Sequence, residues 1–262
     1  MKVIDISWIR LLIGFIILII PLWILWRYRT GLISKFAISV VRMTVQLLFV
    51  GYYLEYLFKL NNPFLNVGWM VVMIIVADYS TIDRSELRIM PLLWPIFIST
   101  AVAMGGVVFF VIGVVVHPPD TFEAQYLIPL TGMVLGNCLR SNVIGMHAFY
   151  YGVRQQRERY EFYLLTGATR DEALFPFFQD ALKQVTNPTL ATMATMGLVS
   201  LPGMMTGQIL GGSSPLTAIR YQIMIMLAIL TGTVFSVYLS IHLANRKLFD
   251  ARDNFRTELL KD

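Results

Sequence analysis

The stretch Gly197–Gln222, GLVSLPGMMTGQILGGSSPLTAIRYQ, holds no acid and no base until Arg220. It is too apolar for an ordinary surface loop. Yet it carries two prolines, several glycines and a glutamine, which a plain lipid-facing helix avoids. Broken helices survive at membrane depth only where they are buried in protein or line a watery cavity. The stretch therefore asks for a protein that builds such a place inside a bilayer.

The rest of the chain agrees. Hydrophobic residues make up 56% of the 262 and charged residues 14%, whereas a soluble domain is about a quarter charged. A membrane-crossing helix needs about 20 mostly apolar residues. Seven blocks qualify, roughly 8–26, 36–58, 64–78, 90–116, 126–150, 186–212 and 217–244; the third is short and the sixth interrupted. The expectation is an all-α polytopic membrane protein, one transmembrane domain over 1–262, with about seven spans. The first block lacks a small-residue cleavage site and ends on Trp23, Trp26, Arg27, Tyr28 and Arg29. It reads as a retained anchor with interfacial aromatics, not a signal peptide. Cys138 is the one cysteine, so no disulfide can form within the chain.

Alternate connections are basic. Arg27, Arg29 and Lys35 lie in one, Arg84 and Arg88 in another, and Arg154, Arg157, Arg159, Arg170 and Lys183 in the fifth. The tail adds Arg246, Lys247, Arg252, Arg256 and Lys261. The opposite side has Lys2, Arg10 and Lys59, and the loops 117–125 and 202–215 have no Lys or Arg. This asymmetry puts the N-terminus outside and the tail in the cytoplasm. The net charge of +5 follows from it; no basic run interleaves with aromatics as a nucleic-acid surface would.

The fifth connection, about 154–184, is long enough to be structured. One short helix is predicted up to about Leu165, stopping at Gly167. A second starts at TRDE, with Thr169 and Glu172 spaced as a capping box. Asn187 and Pro188 then read as N-cap and first turn of the sixth span, 186–212. Tyr160, Phe162, Tyr163, Leu164, Leu165, Phe175, Phe177 and Phe178 are many apolar side chains for a water-facing loop. They either pack against the membrane helices or form a knob for a cytoplasmic partner.

ERYEFYLLTGATRDEA resembles the coupling segment of ATP-binding-cassette permeases, in which a glutamate, a glycine six residues later and a short capped helix enter a groove of the ATPase. Glu161 and Gly167 have that spacing, with Phe162 and Tyr163 where alanines are usual. IPLTGMVLGNCLRS, LLTGATRDEA and NPTLATMATMGLVSLPGMMTGQILGGSSPLTAIRYQI, in that order, resemble the FetB-type permease family of iron-export ABC transporters over about residues 30–250. The resemblance implies coupling through Glu161, Leu165, Gly167, Thr169, Glu172 and Phe175. It also implies a permease homodimer in the cytoplasmic membrane, a separate ATPase subunit that uses ATP and Mg, and iron as cargo, with other metals or a metal-linked small molecule as alternatives. This chain itself is expected to bind no cofactor.

Inside the spans, Leu201-Pro202-Gly203 reads as a helix end. Gly203, Gly207 and Gly211 then recur every fourth residue, one smooth stripe if that piece is helical. A tight outer turn is one reading. A re-entrant or twin-interface element is the other, with Met204, Met205, Thr206 and Gln208 facing the path or the twin subunit. Asn137, Arg140 and Asn142 in GNCLRSN are candidate polar pathway residues, joined by Thr192 and Met196. Arg42, one turn before Gln46, reads as snorkelling to the interface. Met193 and Met196 would share a helix face, but thioethers suit Cu(I) better than iron and serve equally as apolar filler. The histidines do not cluster, and Glu55 and Asp78 lie near span ends, so no metal ligand set is readable. The motifs G-x-S-x-G, H-E-x-x-H and G-x-x-x-x-G-K-[ST] are missing, which argues against catalysis and against ATP hydrolysis by this chain.

Overall fold

The computed structural model describes residues 6–250 and 253–256, so Lys2, Arg252 and Lys261 lie outside the described residues. Among those described the fold is helical throughout. The elements are α1 (Trp8–Gly14) and α2 (Ile19–Arg27), continuous through a 3-10 turn, then α3 (Ile33–Leu60), α4 (Pro63–Arg84) and α5 (Ile89–Phe110). They continue as α6 (Ala124–Gln155), α7 (Arg157–Leu165), α8 (Arg170–Thr195), α9 (Gly203–Leu210) and α10 (Pro215–Leu248). Among the described residues six helices are long and apolar enough to cross a membrane: Trp8–Arg27, Ile33–Leu60, Pro63–Arg84, Ile89–Val116, Ala124–Gln155 and Pro215–Leu248.

Local chemistry sets the helix ends. Asn62 accepts from the backbone N–H groups of Phe64 and Leu65 and is followed by Pro63 at the first turn, which satisfies donors that α4 would otherwise leave open. Ser214 and Pro215 start α10 in the same way. Thr169 and Glu172 form the expected capping box of α8, and Gly167 adopts φ +94° after α7. Asn187 and Pro188 do not start a helix. They lie inside α8, which is unbroken from Arg170 to Thr195. The coupling helix and the sixth apolar block are thus one rod. Pro188 has no N–H to give the Gln184 carbonyl, and inside a membrane protein such a gap is tolerated where neighbouring helices pack around it.

Pro202 is also corrected. The helix before it ends earlier, at Thr195, where Gly197 takes φ +85°, and Pro202 instead caps the start of α9. Met196 is therefore an extended C-cap residue and shares no helix face with Met193. Gly211 is the C-cap of α9, so the glycine stripe is helical only at Gly203 and Gly207.

Helices α4, α5, α6, α8 and α10 make the core. Helix α6 runs parallel to α10: Val134 and Cys138 lie against Gly232, Asn142 bonds Ser236, Gly145 meets Val237, and Tyr150 reaches Asn245. Helix α8 runs antiparallel to α6, since Val185 meets Gly145 and Phe177 meets Gly152. Buried polar bonds tie the rods together. Thr100 donates to Asp78 at 2.8 Å (α5 to α4), Ser99 and Ser240 lie 2.9 Å apart (α5 and α10), and Asn142 donates to Ser236 at 2.8 Å (α6 to α10). Between helices in lipid such bonds and close backbone approach replace the hydrophobic drive of water-soluble cores. Asp78 is 1% exposed, deeper than a place near the end of a span suggests.

The α1–α2 rod and α3 stand apart, with no residue of their apolar windows buried. Helix α3 touches the core near its end, where Leu57 is covered, Tyr53 tilts against Trp69 with ring centroids 4.2 Å apart, and Asn61 accepts from the Ala124 backbone N–H at 2.9 Å. Arg42 and Gln46 are both exposed on α3.

Candidate functional site

A cleft of about 480 Å³ opens between α6, α8, the 196–202 break, the start of α9 and α10. It gathers Asn137, Arg140, Thr192, Met196, Pro202 and Met204, residues spread over some seventy positions of sequence. The antiparallel run of α8 beside α6 brings the first four together, and the break turns Pro202 and Met204 back onto the same space. Arg140 is exposed toward the cleft. Its sequence neighbours do not hold it: Asn137 Nδ2 donates instead to the Met133 carbonyl at 2.8 Å, and Asn142 is buried on the α10 side. Asn142 is thus not brought into the cleft with the others. Gly203, Met205, Gly207, Gln208 and Gly211 belong to α9 or its end and do not line it either. Gln208 is half-buried with its Oε1 unpartnered.

One residue of the site carries no mark of its role in the sequence. Gln222 lines the cleft from α10, is 7% exposed, and points its Nε2 toward Met196 Sδ at 3.9 Å while its Oε1 has no partner. A lone glutamine in an apolar run is the one signal that could have marked it. No Asp, Glu, His or Cys lines the cleft, and no group of three or more such residues is placed to hold a metal among the described residues. A larger hollow of about 680 Å³ between α5 and α10 is almost wholly apolar, with Arg220 and Thr231 its polar members. It faces outward between two spans and collects none of the candidate residues.

The second candidate region is the end of the bundle where α6 and α10 finish. Helix α7 and the first turns of α8 sit there, and their apolar residues divide between two faces. Tyr160, Leu174 and Phe177 are buried, whereas Phe162, Leu165 and Phe175 are 61%, 87% and 63% exposed. Tyr163, Leu164 and Phe178 are half-buried, so the set is packed inward only in part. Arg157 Nε donates to Glu161 Oε1 at 2.6 Å, an exposed pair one turn apart. The Thr169 backbone N–H and hydroxyl both donate to Glu172 and hold its carboxyl below the usual range.

Tyr160 is fixed by the segment after α10. Its O–H donates to the Asp253 carbonyl at 2.7 Å, its ring lies 5.7 Å from Phe249, and Arg170 pairs with Asp253 at 3.2 Å. Burial, with the nearby Asp253 charge, pushes the Tyr160 phenol up to about 12. Phe255 completes the strap by stacking on Tyr150.

Comparison with known proteins places this architecture. A family model described as Uncharacterised protein family (UPF0014) matches residues 8–249, all the helices just described. The chain belongs to the UPF0014 family. Among its relatives, the UPF0014 membrane protein slr1647 of Synechocystis is 35% identical over 77% of this chain and 82% of its own length. The probable iron export permease protein FetB of Escherichia coli is 29% identical over 85% of both. The protein ALUMINUM SENSITIVE 3 of Arabidopsis thaliana is 32% identical over 72% of this chain and 67% of its own. No solved structure matches the chain. UPF0014 membership makes this a membrane protein whose relatives include one named as an iron-export permease.

Proposed function

We propose that the chain is the permease subunit of an ATP-binding-cassette exporter, working as a homodimer in the cytoplasmic membrane, moving iron and powered by a separate ATPase. The observation that carries the reading is the knob of Phe162, Leu165 and Phe175, exposed on α7 and the start of α8 while Tyr160, Leu174 and Phe177 of the same two helices are buried. Exposed apolar anchors rimmed by charge mark protein contacts. The basic connections lie at this same end, which fits a cytoplasmic face. The permease name of the FetB relative supports transport and iron.

Because α6 and α10 are parallel, the chain between them has to cross back. In this reading α8, the break and α9 together form a seventh, interrupted crossing. Each copy presents α7 and the start of α8 to one ATPase, and nucleotide-driven closure tilts the unbroken α8 rod, which reaches from the knob to the cleft. Glu161 and Gly167 shape the knob: Glu161 through its pair with Arg157, Gly167 through a left-handed turn that a side chain would strain.

The test is reconstitution in vesicles with and without the ATPase. Leu165→Arg with Phe175→Arg is expected to reduce ATPase retention and ATP-driven iron movement by at least about tenfold, while leaving the melting temperature of the permease unchanged. Uphill transport by the permease alone, or full activity of the double variant, would defeat the proposal.

Gly207 tests the dimer separately. A Cβ added there meets nothing within 4 Å in the single chain, so Gly207→Leu is expected to shift monomer stability by no more than about 0.5 kcal/mol. If α9 packs on the twin, the same change lowers the cross-linked dimer fraction. An unchanged dimer fraction puts α9 outside the twin interface.

A further inference from the structure

We infer that the cleft between α6, α8 and α10 takes a small anion that carries hydroxyl groups, free or wrapped round a metal ion, and does not take a bare metal cation. This rests on the reading of the cleft as the cargo site and names the class of cargo.

The charge in the cleft has one sign. Arg140 lines it, and no carboxylate pairs with Arg140 among the described residues. No Asp, Glu, His or Cys lines it. A ferrous or ferric ion entering alone would find no carboxylate or imidazole to replace its water shell and would meet a positive charge. The thioethers of Met133, Met196, Met204 and Met226 are soft ligands that favour Cu(I) over iron. An anion also loses water, but it meets a charge of the opposite sign and side chains able to donate to it. The guanidinium offers a planar fork that matches a carboxylate or phosphate edge.

Gln222 adds a second, independent demand. Its side chain is 93% covered, lines the cleft, and leaves Oε1 without a donor. A buried carbonyl oxygen left unpaired is unfavourable, so an occupant that carries an O–H or N–H gains where a small turn of the Gln222 side chain brings Oε1 to it. Thr192 already donates its hydroxyl to the Pro188 carbonyl, which leaves its oxygen free to accept a further donor. Size points the same way. About 480 Å³ is the volume of a small-molecule pocket, which typically spans roughly 300–1,000 Å³, and far more than one ion fills.

The experiment is equilibrium binding to the purified full-length chain in lipid nanodiscs, with no ATPase present. The probes are citrate, ferric citrate, glycerol 3-phosphate, ferrous ion alone, and tricarballylate, which keeps the three carboxylates of citrate and lacks its hydroxyl. At least one hydroxylated anion is expected to bind saturably, and ferrous ion alone is not. Citrate against ferric citrate separates the free anion from the metal chelate, and glycerol 3-phosphate reports a phosphate preference. Arg140→Gln is expected to weaken anion binding by at least about tenfold, with Arg140→Lys partly restoring it. Citrate is expected to outbind tricarballylate in the parent chain, and Gln222→Leu to abolish that difference. Saturable binding of ferrous ion that Arg140→Gln leaves intact or tightens overturns the inference, as does failure of every anion. Equal binding of citrate and tricarballylate overturns the hydroxyl requirement. Because this assay involves neither ATPase nor transport, a negative result here leaves the permease proposal standing, and loss of the ATPase partnership leaves the binding result standing.

Discussion

Gly145→Leu is expected to abolish the folded protein, and Gly145→Ala to destabilise it by about 1–3 kcal/mol, read as earlier thermal aggregation in detergent. A Cβ at this position would stand 2.7 Å from Val237 Cγ1 and 3.0 Å from Val185 Cγ2. Both valines sit in helices, where β-branching leaves them one strongly preferred rotamer, so neither can swing aside. Gly145 is where α6, α8 and α10 meet, and a spread there opens the cleft and the polar bonds together. A second close approach, where a Cβ added at Gly232 would stand 2.9 Å from Val134 Cγ1, faces the other way across the same helix pair and resists any compensating slide. The mechanism is specific enough to be partly reversed: Gly145→Ala combined with Val237→Ala is expected to cost less than the sum of the two single changes, because the nearest contact is removed while Val185 stays close. Gly132→Ala serves as the control. Its Cβ meets only the end of Met73 at 3.4 Å, a flexible side chain that can move, so its melting temperature is expected to stay with the parent's. Equal losses at Gly132 and Gly145 would mean that backbone flexibility, not close approach, is what the glycines supply.

These contacts show where sequence reading stops. Apolar length found six of the long helices, because a bilayer fixes the number of residues a crossing needs. The capping box at Thr169 and the left-handed turn at Gly167 were readable because both are set within four residues. Pro188 and Pro202 misled for the opposite reason. A proline's local preference is weak against packing on both sides, and α8 runs straight through Pro188 while Pro202 opens α9. The cleft itself was half legible. Arg140, Asn137, Thr192 and Met196 stood out as polar or soft groups in apolar blocks, and the antiparallel pairing of α6 with α8 brings them together. Asn142 stood out equally, yet two residues beyond Arg140 on a helix of 3.6 residues per turn it points to the far side, toward Ser236. Gln222 was silent because its weight comes only from burial against Met196. Nothing local announces that Asp253 will meet Tyr160, a pairing made 93 residues apart.

That last pairing leads to the second large effect. Ending the chain after Leu248 is expected to release α7 from the bundle and uncouple the knob from the cleft. The strap that would be lost holds Phe249 and Phe255 against Tyr160 and Tyr150, accepts the Tyr160 hydrogen bond through the Asp253 carbonyl, and pairs Asp253 with Arg170. These contributions are unequal. The Arg170–Asp253 pair is about a third exposed on one side and more on the other, so Asp253→Ala is expected to cost only about 0.2–1 kcal/mol. Tyr160→Phe removes one hydrogen bond, about 0.5–1.5 kcal/mol. Tyr160→Ala empties a site that is 1% exposed, and large-to-small changes of an aromatic in a packed core cost about 3–5 kcal/mol. The order of severity is therefore truncation and Tyr160→Ala first, Tyr160→Phe next, Asp253→Ala last. Protease sensitivity between Gln155 and Arg170 is the direct readout, with ATP-driven transport in reconstituted vesicles as the second. In the severe variants transport is expected to fall further than ATPase retention, since Phe175 stays on α8 while Phe162 and Leu165 lose their fixed place with α7. If the truncated chain keeps both its protease protection and its transport, α8 alone transmits the motion and the strap is a passive cover.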